Sequence, residues 1–107
     1  MIAFLLFAVG AYAALVAFMY FSQRAILFPG AGSAPPAGPE WGEAVAIATP
    51  DGEALHAFHR KAAPGKPSVL FFPGNADWIG NYAFLADALA ARDIGLLAIS
   101  YRGYPGS

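Results

Sequence analysis

The chain has 107 residues, a net charge of −1 and no cysteine. That length allows at most one small domain. The absence of any basic block gives no indication of nucleic acid or an anionic lipid surface as a partner. Without cysteine there is no disulfide, thiolate nucleophile or Cys-containing zinc site.

From Ile2 to Phe21 there is no charged or strongly polar side chain. About 20 such residues, at roughly 1.5 Å each, span a hydrocarbon core of about 30 Å. Tyr12 and Tyr20 are the only hydroxyl-bearing residues, and Tyr20 falls where an interfacial aromatic would sit. A cleaved signal peptide is the competing interpretation. It is opposed by the missing basic n-region, by an apolar run longer than roughly 15 residues, and by the lack of a small-x-small site after Tyr20. The segment is expected to anchor the chain in a lipid bilayer through residues 2–21. Arg24, the basic side chain near its end, leans the following domain toward the cytoplasm.

Ser22-Gln23-Arg24 forms a polar collar, and Ala25-Ile26-Leu27-Phe28-Pro29 reads as a brief extended segment packing on the domain. Gly30 to Pro39 is a Gly/Ala/Ser/Pro linker by composition. Ser33 within it has neither a base nor elbow geometry beside it and is not expected to act as a nucleophile. Glu43 to Thr49 alternates as a strand, Pro50-Asp51-Gly52 supplies a turn, and Glu53 to Arg60 returns as a second strand. In that strand Leu55, Ala57 and His59 share one face, with His56, Phe58 and Arg60 on the other. The two histidines therefore diverge, and no metal or cofactor site is expected. Ala62 to Pro67 is a second loop.

Ser68-Val69-Leu70-Phe71-Phe72 is an unbroken apolar, β-prone run that ends at Pro73-Gly74-Asn75-Ala76. Such a run suits a strand buried on both faces. The turn after it occupies the position where open α/β sheets place ligands, the carboxyl end of a strand. Tyr82 to Arg92 runs without a breaker, with Tyr82, Leu85 and Leu89 at helical spacing and Ala86 and Ala88 beside them. Asp77 or Asn81 is placed to cap its start and Gly95 to mark its end. Leu96-Leu97-Ala98-Ile99 is a further apolar strand, so a parallel strand–helix–strand unit is predicted. The loop Ser100 to Ser107 follows it. One helix and one hairpin give such a sheet little cover, and the chain is expected to be the N-terminal part of a larger α/β protein. The expected organisation is a transmembrane anchor over 1–22, a membrane-proximal segment and linker over 23–41, and the first part of an α/β domain over 42–107.

Gln23-Arg24 with Phe28-Pro29, Asp51-Gly52, Phe71-Phe72-Pro73-Gly74-Asn75-Ala76 and Tyr101-Arg102-Gly103-Tyr104 occur in one order. Together they resemble the membrane-anchored branch of the α/β-hydrolase superfamily, the abhydrolase-domain, esterase- and peptidase-like proteins. The resemblance runs from about Ser22 to Ser107. It implies an α/β fold of which this chain holds an N-terminal transmembrane helix, the first strands and the first crossover helix. It also implies a membrane-anchored serine hydrolase acting on an ester, thioester or peptide-like acyl substrate, without a cofactor.

In such enzymes the nucleophile sits on a G-x-S-x-G elbow, followed by the acid and the His. None of these lies in this chain, and the elbow is expected beyond Ser107. Ser107 follows Pro105-Gly106 and corresponds to a loop serine, while His56 and His59 come too early to be the base. The resemblance implies that a backbone N–H at Asn75 or Ala76 donates to the oxyanion of an acyl-transfer intermediate. Gly74, Arg102 and Gly103 then serve as structural loop residues. Two departures stand out: Pro73 replaces the family's usual His, and Ser100 replaces an acidic residue before the Tyr-Arg-Gly-Tyr run. Pro73 favours the alternative, a non-catalytic membrane-anchored scaffold or interaction protein.

Overall fold

A computed structural model describes residues 1–36 and 41–107; the Pro39 end of the expected linker lies outside the described residues. The first helix, α1, covers Ile2–Leu27 and has no buried residue. A helix that is apolar all round has no polar face to turn to water. At 26 residues it is long and apolar enough to cross a membrane, as a single span or a signal sequence would be. It stands away from the rest of the chain. The radius of gyration is 21.1 Å, against about 13 Å for a compact chain of 100 residues. The helix also runs through Ala25, Ile26 and Leu27, where the sequence suggested an extended segment. No proline or glycine interrupts this stretch before Pro29, so the helical ladder continues to the residue before Phe28.

Four strands form one mixed sheet: β1 (Glu43–Ala48), β2 (Ala54–Arg60), β3 (Ser68–Phe71) and β4 (Gly95–Ile99). Their order is β1-β2-β4-β3. β1 and β2 form the expected antiparallel hairpin, with Ala48 opposite Ala54. Its turn closes through Gly52 N–H to Thr49 O at 3.0 Å, with Gly52 at φ +90°. β2 pairs antiparallel with β4, and β3 pairs parallel with β4. The predicted parallel strand–helix–strand unit is thus present.

β3 is the exposed edge of this sheet, with Leu70 54 % and Val69 38 % exposed, where burial on both faces was expected. The central position belongs to β4, which has a hydrogen-bonded neighbour on each side, and Leu96 and Ala98 are fully buried there. An apolar run does not say whether a strand is central or lateral; that depends on which neighbours pair with it.

The helix between β3 and β4 is shorter than its apolar spacing suggests. A 3-10 turn covers Ile79–Tyr82 and α2 covers Ala83–Ala90. Neither is capped by a side chain, so Asp77 and Asn81 do not play the expected role. Asp77 instead gathers the turn before the helix. Its carboxylate accepts from Trp78 N–H at 2.8 Å, from Asn81 Nδ2 at 3.3 Å and from the Tyr82 hydroxyl. Burial pushes the Asp77 carboxyl up, but the Tyr82, Trp78 and Asn81 hydrogen bonds outweigh it and the net shift is downward. The turn that closes the helix has its left-handed residue at Asp93, not Gly95. Asp93 has φ +60°, its N–H bonds Ala90 O and the Ile94 N–H bonds Leu89 O, the pairing of a Schellman end. Gly95 is needed for a different reason: a side chain there would meet the Ser68 hydroxyl and the backbone of Ala62 and Arg60 within 3 Å.

One face of the sheet carries the core. Phe58, Leu96 and Ala98 pack beneath Ile79 and Ala86, with Leu85 and Leu89 of the predicted helical stripe at its margin. Trp41, the last residue of the expected linker, is only 3 % exposed and belongs to this core. Its ring meets Phe58 edge-on at 5.6 Å, and its Nε1–H donates to Ile79 O at 2.8 Å. Trp41→Phe would keep most of the packing and orphan the Ile79 carbonyl. The expected loss is about 1–3 kcal/mol, measured as a lower urea midpoint by circular dichroism of the protein in detergent.

Candidate functional site

The loop after β3 and the loop after β4 lie side by side at the carboxyl ends of the parallel pair. The Tyr101 hydroxyl donates to Pro73 O at 2.6 Å and the Tyr104 hydroxyl to Asn75 Oδ1 at 2.5 Å. Two tyrosines of one loop therefore hold two consecutive corners of the other. Tyr104 is buried and Pro73 is buried, whereas Gly74, Asn75 and Ala76 are exposed. Pro73 thus occupies an inner position, and its carbonyl is engaged by Tyr101.

Asn75 uses both ends of its side chain. Its Oδ1 receives Tyr104, and its Nδ2 donates to Leu27 O at 2.7 Å. Leu27 is the last residue of α1, and the final carbonyls of a helix have no partner within the helix. Asn75 supplies a donor for one of them, so the β3 turn is joined to the end of the apolar helix. A second tie lies beside it: Gly32 N–H donates to Gly103 O at 2.6 Å. Gly30 fits between them without room for more. A Cβ there would come within 3 Å of the Tyr104 ring and the Ala76 backbone.

The turn itself differs in detail from the sequence expectation. Gly74 has space for a side chain and no left-handed φ, so it is not the residue that the turn requires. The left-handed residue is Ala76, at φ +63°. An L-residue there costs roughly 1–2 kcal/mol, and strain of this kind collects at ligand-binding turns. Asp77 N–H closes the turn onto Gly74 O at 3.2 Å. Among the described residues, the backbone N–H groups of Asn75 and Ala76 have no acceptor. Exposed donors at the carboxyl end of a strand are what an incoming oxygen could use.

Arg102 ties the loop after β4 to the β1–β2 turn, a partner that was not legible in the sequence. Its guanidinium grips Asp51 of the β1–β2 turn at 2.6 and 2.7 Å, with Thr49 Oγ1 at 3.3 Å. Gly103 has φ +78°, which makes glycine the natural choice after that arginine. The Arg102 and Thr49 hydrogen bonds hold the Asp51 carboxyl well below the usual carboxylate range.

The serines and histidines do not assemble a nucleophile and base. Ser107 Oγ accepts the His56 backbone N–H at 2.8 Å and donates to Ser100 O at 3.0 Å. Buried Ser100 donates to Pro105 O at 2.8 Å. The Ser107 hydroxyl fastens the last loop to β2, and the Ser100 hydroxyl closes that loop on itself. The His56 ring stacks on Trp78 at 5.8 Å, while His59 belongs to the opposite face of the strand. Among the described residues no group of three His, Asp or Glu could hold a metal ion.

In front of the β3 turn is a cleft of about 1200 Å³, walled by Pro73, Asn75, Arg102 and Tyr104 on one side and by Arg24 and Phe28 on the other. The participation of α1 in this wall was not foreseen. The segment Ala25-Ile26-Leu27-Phe28-Pro29, read as packing on the domain, pointed toward it.

Two substitutions check this geometry. Gly30→Ala would drive a methyl into Tyr104 and Ala76, with an expected loss of about 1–3 kcal/mol that Trp fluorescence during urea unfolding would register. For Asp51 the sign follows from its lowered folded value. The stabilisation by Arg102 is intact above the unfolded carboxyl value near ~3.9 and is lost as the pH falls through the lower folded value. A carbon-detected NMR titration should place the Asp51 midpoint below the ordinary range and return it there in Arg102→Gln.

No family model, curated protein or solved structure matches the chain.

Proposed function

We propose that this chain belongs to a membrane-anchored serine hydrolase of the α/β-hydrolase type, acting on an ester, thioester or peptide-like acyl substrate. The chain supplies the oxyanion side of the reacting site. The observation that carries this is the turn after β3, where the backbone N–H groups of the exposed residues Asn75 and Ala76 have no acceptor among the described residues. In α/β-hydrolases one oxyanion donor comes from the loop between the third strand and the first helix. The turn here occupies the same place, after β3 and before α2.

In this reading residues 2–21 cross the bilayer. The scissile carbonyl approaches the turn, and its oxygen accepts from the Asn75 or Ala76 N–H as negative charge develops. Such donors stabilise the transition state by about 3 kcal/mol each. The nucleophile, its base and the orienting acid come from outside the described residues. Tyr101 and Tyr104 position the donors by holding Pro73 O and Asn75 Oδ1.

The second reading is a non-catalytic anchored scaffold. Pro73 favours it, since proline provides neither an N–H nor an imidazole beside the oxyanion turn.

The two differ in an ester assay of the full-length protein in bilayer nanodiscs. The hydrolase reading expects turnover of a short p-nitrophenyl ester. It also expects Asn75→Ala, which unties the turn from both Leu27 and Tyr104, to lower kcat on the order of 100-fold, the scale of a 1 Å misplacement, with KM little changed. No turnover of any acyl ester by the wild type would refute it.

A further inference from the structure

The cleft before the β3 turn has walls of two origins. Pro73, Asn75, Arg102 and Tyr104 belong to the sheet domain, whereas Arg24 and Phe28 belong to the end of α1 and the residue after it. If residues 2–21 fill a hydrocarbon core of about 30 Å, Ser22 to Leu27 add roughly 9 Å of helix. One polar headgroup layer is roughly 5–8 Å deep, so Arg24 lies within it and Leu27 near its outer edge. The cleft then opens at the headgroup boundary, with Arg24 inside the headgroup layer.

Its surface suits that position. Ile26, Leu27 and Phe28 are each about half exposed and carry the apolar surface of α1 up to the rim. Phe72, 54 % exposed, stacks on Tyr101 with ring centroids 6.3 Å apart. At about 1200 Å³ the cleft exceeds the roughly 300–1,000 Å³ of ordinary small-molecule pockets.

Its charge is one-sided. Arg24 and Arg102 both line it, and no carboxylate does. Arg102 is paired with Asp51, and Arg24 has no carboxylate within ion-pair reach among the described residues. The overall charge gives no hint of this, because the two cations are far apart in sequence and are brought together only by the fold. Arg24 also lies in the last turn of α1, where a cation complements the negative end of the helix dipole. A phosphate held by the Arg24 guanidinium is a charge-assisted arrangement.

We propose that this cleft binds one anionic phospholipid drawn from the surrounding bilayer. Its headgroup phosphate lies at Arg24, and an acyl chain runs along Phe28 toward Tyr104. The inference rests on the membrane insertion proposed above and is independent of the hydrolase chemistry. If both hold, a lipid ester carbonyl lies within the same cleft as the Asn75–Ala76 turn.

The test is photocrosslinking in nanodiscs of the full-length protein. Phosphatidylcholine discs carry a small fraction of phosphatidylglycerol with a diazirine on its acyl chain, or the same amount of diazirine phosphatidylcholine as the comparison. Labelled peptides are mapped by mass spectrometry. The expected result is label on peptides containing Pro73 to Tyr104, several-fold more from phosphatidylglycerol than from phosphatidylcholine. Arg24→Gln should bring the two to parity. Ala31→Trp, which narrows the cleft at an exposed position, should reduce both while leaving circular dichroism unchanged. Label confined to Ile2–Phe21, equal label from the two lipids in the wild type, or an Arg24→Gln protein that labels like the wild type would each overturn the proposal. Absence of label even from α1 would overturn insertion itself and this inference with it. The ester assay reads turnover separately, so failure of the chemistry and failure of lipid binding are distinguishable.

Discussion

The last carbonyls of a helix have no partner within it, and in this protein Asn75 provides a donor for one of them. Its Nδ2–H reaches Leu27 O while its Oδ1 receives the Tyr104 hydroxyl. One amide side chain thereby connects the end of α1, the turn after β3 and the loop after β4. Around this junction Gly30 leaves room for Tyr104 and Ala76, and Gly32 bonds Gly103. The position of the apolar helix relative to the sheet, and with it the shape of the cleft, depends on these few contacts. A single net hydrogen bond contributes only about 1 kcal/mol. The junction is held by several ties acting together.

The sheet provides the rigid side of that junction. β4 is central, and the core lies on the face covered by Trp41, Ile79 and α2. The other face carries Val45, Ile47, Leu55, Leu97 and Ile99, all half-buried, and Leu70 is more than half exposed. No helix among the described residues packs on it. Stability is therefore concentrated on one side, which makes the Trp41 indole and the buried Phe58, Leu96 and Ile79 side chains unusually important for a sheet of this size. Arg60 and Asp87 add an exposed ion pair from β2 to α2, of the kind that contributes at most about 1 kcal/mol.

Two features make the β3 turn a better candidate for chemistry than the rest of the surface. Ala76 holds a left-handed conformation without being glycine, and among the described residues the Asn75 and Ala76 N–H groups have no acceptor. A fold that only needed to reverse direction would have a lower-energy solution with glycine at the strained position. Arg102 and Asp51 tie the neighbouring loop to the β1–β2 turn, while its Tyr101 and Tyr104 tie it to the β3 turn. The same geometry allows Pro73 to be accommodated, since its buried carbonyl is used by Tyr101 and its missing N–H leaves no donor without a partner.

What could be read from the residues alone was whatever depends on local pattern. The apolar helix, the alternating hairpin around Pro50-Asp51-Gly52, and the parallel strand–helix–strand unit follow from side-chain periodicity and turn chemistry, and all three are present. The same logic located the Pro73–Ala76 turn. Tertiary structure decided everything that depends on who pairs with whom. An apolar run reads the same in a central strand as at an edge, so β3 was assigned the burial that belongs to β4. Trp41 looked like the end of a linker because its partners, Phe58 and Ile79, come much later in the chain. The turn after α2 is closed at Asp93, not Gly95, with Asp93 at positive φ and hydrogen bonds back to Leu89 and Ala90 that no local pattern announced. The role of Asn75 as a donor to Leu27 had no local signal at all. It is a contact between distant residues, and only the folded chain brings the end of the apolar helix to the turn that needs it.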